Sequence, residues 1–196
     1  MFDKLIEKSK RGESKLTPEI LMLPGFSSAW NRHLLNNLVG MQKVNYLEIG
    51  VWQGSTFISA LYGNEYKATA IDNFSQYQDE KPRDNFHDHC QHFCIAYDFI
   101  EKDCFEVDWL KDIDFFFYDG DHLPDKTAQS LTHFYDSLAD EFIYIADDYN
   151  WTGVREGVAE GIKQTGLKIE YQRWLRSENN DADKWWNGLG IFKFKK

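Results

Sequence analysis

The chain has 196 residues, 42% of them hydrophobic and 16% aromatic, which is the usual length of one domain and ample for one sizeable core. Its formal net charge of -10 argues against nucleic acid as a partner, because neutralising many phosphates rests on clustered Lys and Arg. Cys90, Cys94 and Cys104 lack disulfide-framework spacing, the N-terminal MFDKLIEKSKRGESK is broken by charges, and no apolar window approaches a membrane span, so a soluble, cytoplasmic protein with free thiols is expected.

No repeat, low-complexity tract or Gly/Ser linker divides the chain, which reads as a single domain with an N-terminal helical segment over 1–40 and a core over 41–196. The spacing of Leu34, Leu35 and Leu38 predicts a helix over 28–39. Residues 44–49 (VNYLEI) form an apolar run ending at Gly50, and 55–61 reads as a helix capped by Ser55. Further strands are expected at 67–71, 98–102 and 113–118 (IDFFFY). Pro124 marks a helix start and 125–138 has helical spacing; a strand at 142–146 is followed by a helix over 153–164 that stops at Gly166. The runs 167–174 and 189–194 have no helix between them, which implies an antiparallel pair at the sheet edge. The pattern describes an α/β fold: a Rossmann-like, doubly wound sheet, mostly parallel, with an antiparallel C-terminal hairpin strand.

In such sheets ligands bind beyond the carboxyl ends of the strands, and here those ends are acidic: Glu48, Asp72, Asp103, Asp119 and the pair Asp147 and Asp148. Gly50 and Gly54 allow a sharp turn and a close backbone approach to a ligand. Glu48 at a buried strand end needs a partner, and the ammonium of an amino-acid ligand would serve. Asp72 follows the first glycine by about 20 residues, where a carboxylate accepts ribose hydroxyls; the alternative for it is a turn cap.

The segments LEIGVWQGSTFISAL, AIDNF, FFYDGDH and IADDYNW, in this order and spacing, resemble class I S-adenosylmethionine-dependent methyltransferases. The resemblance runs from about Val44 to the C-terminus and is nearest to the metal-dependent, small-molecule O-methyltransferases of the macrolide-sugar and catechol type. It implies that Glu48 lies by the methionine end of the cofactor, that Gly50 and Gly54, with Ser55, line its loop, and that Asp72, with Asn73 beside it, holds the ribose. Asp103 and Cys104 would lie near the adenine. One departure stands out: Trp52 occupies the place of the family's middle loop glycine.

Strand ends lie about 5 Å apart in neighbouring strands, so Asp119, Asp147 and Asp148 are expected to converge. Like charges that close call for a hard divalent cation such as Mg²⁺, unless Asp148 and Asn150 merely cap the next helix; Asn150 is a substitute ligand. His122, in the same loop as Asp119, is the candidate general base. His87, Cys90 and Cys94 share a helix face but lack structural-zinc spacing and read as packing. Trp185 and Trp186 either wall a pocket or pack the core. The expected activity is methylation of a small hydroxylated molecule by a monomer or homodimer, against two competitors: a nicotinamide-dependent oxidoreductase and a non-catalytic S-adenosylmethionine-binding protein.

Overall fold

The computed structural model describes residues 1–76 and 80–196. Among these, seven strands form one sheet: β1 (Val44–Ile49), β2 (Tyr66–Ile71), β3 (Asp98–Ile100), β4 (Ile113–Tyr118), β5 (Leu138–Ala146), β6 (Lys168–Leu175) and β7 (Leu189–Lys195). Their order is β3-β2-β1-β4-β5-β7-β6. The first five strands pair in parallel, whereas β7 runs antiparallel to both β5 and β6. The reversed C-terminal strand expected from the two helix-free runs is therefore β7, inserted between β5 and β6.

The helices are α1 (Phe2–Lys10), α2 (Pro18–Leu21), α3 (Ala29–Val39), α4 (Ser55–Leu61), α5 (Pro82–His92), α6 (Pro124–His133) and α7 (Thr152–Thr165). They cover both faces of the sheet, and β4 explains why its sequence is a continuous apolar run. Phe115 and Phe117 enter the cluster holding Leu34, Leu35, Phe57 and Phe86, while Phe116 and Tyr118 enter the one holding Leu131, Val154 and Val158. A strand buried on both faces has no polar side to alternate with. Ile6 and Ile20 share the first cluster with the sheet, so the N-terminal segment is part of the core. Helices α6 and α7 pack closely at Gly157, where a Cβ would come within 2.5 Å of the Pro124 carbonyl oxygen.

Several boundaries differ from the sequence reading. Helix α6 ends at His133, and a 3-10 turn at Tyr135–Ser137 starts β5 at Leu138, which pairs with Ile113. Pairing with β4 overrides the helical spacing of 134–138. The N-cap of α4 is Gly54, at φ 88°, and not Ser55. The expected caps at Asp148 and Asn150 are absent too, since α7 starts after Trp151 without a side-chain cap bond. Helix α3 matches its expectation, with the Ser28 hydroxyl accepting from Asn31 N at 3.2 Å, and Gly166 ends α7 in the left-handed region at φ 71°.

Candidate active site

The sheet order reverses beside β1: β2 flanks it on one side and β4 on the other, so the chain parts at their carboxyl ends. The ladder continues past those ends. Asp119 N donates to Ile49 O at 3.0 Å and Asp147 N donates to Tyr118 O at 3.1 Å. These bonds carry Asp119 and Asp147 side by side to the mouth of a cavity of about 980 Å³. Gly50 is required here. Its φ is 82°, and a Cβ would stand 2.0 Å from the Asp119 carbonyl oxygen.

Nine of the residues singled out from the sequence line this cavity: Gly50, Asp72, Asn73, Asp103, Cys104, Asp119, His122, Asp147 and Asp148. Asp72 organises the loop after β1, because its carboxylate accepts from Trp52 N at 2.9 Å and from Phe74 N at 2.7 Å. Burial raises its pKa, and the backbone donors oppose that rise. Trp52, in the place of a glycine, adopts the left-handed conformation at φ 44°. Asn73 Oδ1 accepts from Ser75 N at 3.0 Å, and Asp103 Oδ1 accepts from Phe105 N at 2.9 Å, capping a 3-10 turn. Burial pushes the Cys104 thiol up to about 12, leaving it protonated.

Glu48, Gly54 and Ser55 are not among the cavity-lining residues. Glu48 is wholly buried between β1 and α4, where its carboxyl accepts from the Tyr46 hydroxyl and, at 2.6 Å, from Thr56 Oγ1. Burial raises its pKa to about 8. The partner that a buried carboxyl demands is thus supplied by the protein. Gly54 and Ser55 begin α4, and Gly25 packs against Ser55 so tightly that a Cβ there would lie 1.9 Å from Ser55 Oγ.

Asp119, Asp147 and Asp148 all line the cavity. Burial, then the charges of Asp147 and Asp148, hold the Asp119 carboxyl well above the usual carboxylate range; burial, then Asp148, does the same for Asp147. Two buried like charges in this position resist being carried at the same time. Burial also raises Asp148, offset by His122 and by a hydrogen bond from Asn187. Among the described residues no three His, Cys, Asp or Glu side chains are grouped as metal ligands. Asn150 is engaged elsewhere, donating to Ser177 O at 2.8 Å and accepting from Trp174 Nε1 at 3.2 Å. The His87, Cys90 and Cys94 set is likewise dispersed: His87 bonds the Tyr97 hydroxyl at 2.7 Å, Cys90 is buried and Cys94 is exposed.

His122 Nε2 is a buried atom with no hydrogen-bond partner, 3.6 Å from Asp119 Oδ1 and 3.7 Å from Asp148 Oδ2. Burial lowers the pKa of this imidazole, which favours the neutral, proton-accepting form.

A family model described as a methyltransferase domain matches residues 47–149, just over half of the chain. The chain belongs to the methyltransferase-domain family. No curated protein matches it. Its fold is that of solved methyltransferase structures. A candidate RNA methyltransferase from Pyrococcus horikoshii aligns with TM-score 0.62 at 12% identity, over 100% of this chain and 96% of that one. TYW2 of M. jannaschii, solved with AdoMet, aligns with TM-score 0.62 at 15% identity, over 89% of this chain and 78% of that one. A candidate SAM-dependent methyltransferase from Streptococcus mutans aligns with TM-score 0.60 at 13% identity over 84% of this chain, which spans 47% of that longer protein.

The methyltransferase-domain match begins in β1 and ends just past Asp148, so it leaves out the N-terminal helices and the β6–β7 hairpin. Both bring residues to the cavity that the sequence did not mark as site residues. Phe26, from the segment before α3, and Asn187, from the connection between β6 and β7, line it; so does Trp151. The two tryptophans of that connection separate, with Trp186 on the cavity and Trp185 buried against Trp30 at 5.2 Å between ring centroids. Isolated aromatics in irregular segments carry no periodicity by which they could have been found.

Proposed function

We propose that this protein transfers a methyl group from S-adenosylmethionine to a hydroxyl of a small molecule, with His122 as general base. The observation that carries the reading is a cavity, at the carboxyl ends of β1, β2, β4 and β5, that is lined by Gly50, Asp72, Asp119 and His122. S-adenosylmethionine would supply an activated methyl on a sulfonium centre. Asp72 lines the cavity with its carboxylate already bonded to backbone N–H groups of Val51, Trp52, Asn73 and Phe74, and a ribose hydroxyl would share those oxygens with them. Asp103 and Cys104 lie in the same cavity on the β3 side, where the adenine would fit. His122 Nε2 takes the proton of the acceptor hydroxyl as the oxygen gains the methyl and the thioether leaves. Binding in one cavity would hold donor and acceptor side by side, so most of the rate would derive from orientation and electrostatics.

Asp119, Asp147 and Asp148 offer the oxygen donors that a hard divalent cation such as Mg²⁺ takes, and a cation would relieve their mutual repulsion, although among the described residues no three such side chains are already grouped to hold one. The three side chains would have to draw together to hold it, and it would then lower the pKa of the acceptor hydroxyl. The net charge of -10 supports a small acceptor over a nucleic acid, and three free cysteines suit a cytoplasmic setting. Calorimetry with S-adenosylmethionine, S-adenosylhomocysteine and NAD tests the cofactor: tight binding of NAD alone would defeat the reading. Thermal melts with Mg²⁺, Mn²⁺ and chelator test the cation, which should raise the midpoint reversibly.

A further inference from the structure

A connection as long as 176–188, with no helix or strand of its own, is commonly a movable lid. This one carries Asn180, Trp186 and Asn187 to the cavity, where the loop after β5 brings Asp148. Both segments hold unusual backbone. Among the described residues eight other than glycine are left-handed, and three of these, Asp148 (φ 50°), Asn180 (φ 59°) and Trp186 (φ 54°), belong to the two segments. Such conformations persist only where the surroundings over-determine them.

Asn150 supplies that determination, because each of its four polar atoms is bonded. Its backbone N–H donates to Asn187 O at 2.9 Å, and its carbonyl oxygen accepts from Arg155 Nη1. In the side chain, Nδ2 donates to Ser177 O at 2.8 Å while Oδ1 accepts from Trp174 Nε1 at 3.2 Å. Ser177 and Asn187 stand near opposite ends of the connection, so one residue ties both ends to the loop after β5. Arg155 reinforces the knot, donating also to Tyr149 O at 3.0 Å and lying 4.6 Å above the centre of the Trp174 ring. Gly188 permits it: its φ is 83°, and a Cβ there would overlap Asn150 Oδ1. Asn187, thus held, is buried and its Oδ1 accepts from Asn180 N at 2.7 Å. Asn150 itself does not line the cavity, and it lies with all four partners outside the span that matches the family model.

We propose that Asn150 is a positioning residue for the site: by tying both ends of the 176–188 connection to the loop after β5, it makes that connection a fixed part of the cavity and sets Asp148, Trp186 and Asn187 in place before any ligand arrives. Side chains ordered in advance cost a ligand nothing to order. The catalytic value of this arrangement rests on the methyl-transfer reading; the tie does not.

Hydrogen exchange on the full chain without ligand tests it, residue by residue. In the wild type the amides of Asn180 and Gly188 should exchange at least about 100-fold more slowly than in an unstructured peptide. Asn150→Ala should speed exchange at Tyr149, Asn180 and Gly188 by about 10-fold or more. The Asp119 amide, bonded to Ile49 O beyond β1, should change less than about 2-fold, whereas a general loss of stability would speed it equally. The same variant should move the indole N–H resonance of Trp186 and leave that of the core residue Trp185 in place. Asn150→Asp keeps the acceptor for Trp174 Nε1 and should recover part of the protection. Should Asn150→Ala fail to fold, Trp174→Phe, which removes only the indole donor, decides by the same amides. Unprotected Asn180 and Gly188 in the wild type, or unchanged exchange there in the variants, overturns the proposal. Calorimetry with S-adenosylhomocysteine runs alongside: protection that depends on Asn150 in a protein that ignores this ligand overturns the methyl-transfer reading and leaves the tie standing.

Discussion

Asp72 and His122 carry the two sharpest residue-scale expectations. The Asp72 carboxylate is tied to Trp52 N and Phe74 N, so it both shapes the loop and faces the cavity. Asp72→Ala should therefore weaken S-adenosylhomocysteine binding by about 1.5–3 kcal/mol, the range of a lost charge-assisted hydrogen bond, read as a 10- to 100-fold rise in Kd by calorimetry. His122→Ala should lower kcat by about 10² to 10⁴ with little change in cofactor affinity, measured once an acceptor turns over. An unchanged kcat would assign the proton to another group. Asp72 and His122 were legible in the sequence because each follows a strand end. Of the partners of Glu48, Tyr46 shares its face of β1 two residues away, but nothing local says that Thr56 will meet the carboxyl.

At the scale of elements, the packing of α6 on α7 depends on absent side chains. A Cβ at Gly157 would lie 2.5 Å from Pro124 O and 2.6 Å from Thr127 Cβ, both on the facing helix. Gly157→Val should force the helices apart and cost about 1–3 kcal/mol, visible as a lowered urea midpoint with an unchanged slope. Helix α6 begins beyond the loop that bears His122, so kcat should fall with it. The helical spacing of 125–138 misled at its end for a related reason. Chain leaving His133 is drawn into the sheet by pairing of Leu138 with Ile113, a contact between segments 25 residues apart that outweighs local propensity.

For the whole molecule, buried carboxyls fix the sign of the pH dependence of stability. Glu48 titrates near 8 in the folded protein, against about 4.3 in an unfolded chain. Its folded pKa is raised, so its contribution is fully present below about pH 4 and is lost as the pH rises through about 8. Asp119 and Asp147 are raised by burial as well and act in the same direction. Stability should fall as the pH rises from about 4 through about 8, and Glu48→Gln should flatten part of that slope, on the order of 3 kcal/mol, in denaturant titrations at fixed ionic strength. A slope unaltered by Glu48→Gln would mean that the carboxyl stays hydrated. Alternation of apolar runs with glycine turns and helical spacing determined the sheet, its reversed last strand and the acidic strand ends, because those signals are local and repeat along the chain. Only the tertiary structure decided that the N-terminal strap places Phe26 on the cavity, that Trp185 is core while Trp186 faces the site, and that Asn150 serves a loop. Those outcomes depend on which surfaces meet across 24 to 155 residues of chain, as Phe26 meets Trp52, Asn150 meets Trp174 and Trp30 meets Trp185, and burial selects partners by shape and hydrogen bonding that no short window encodes.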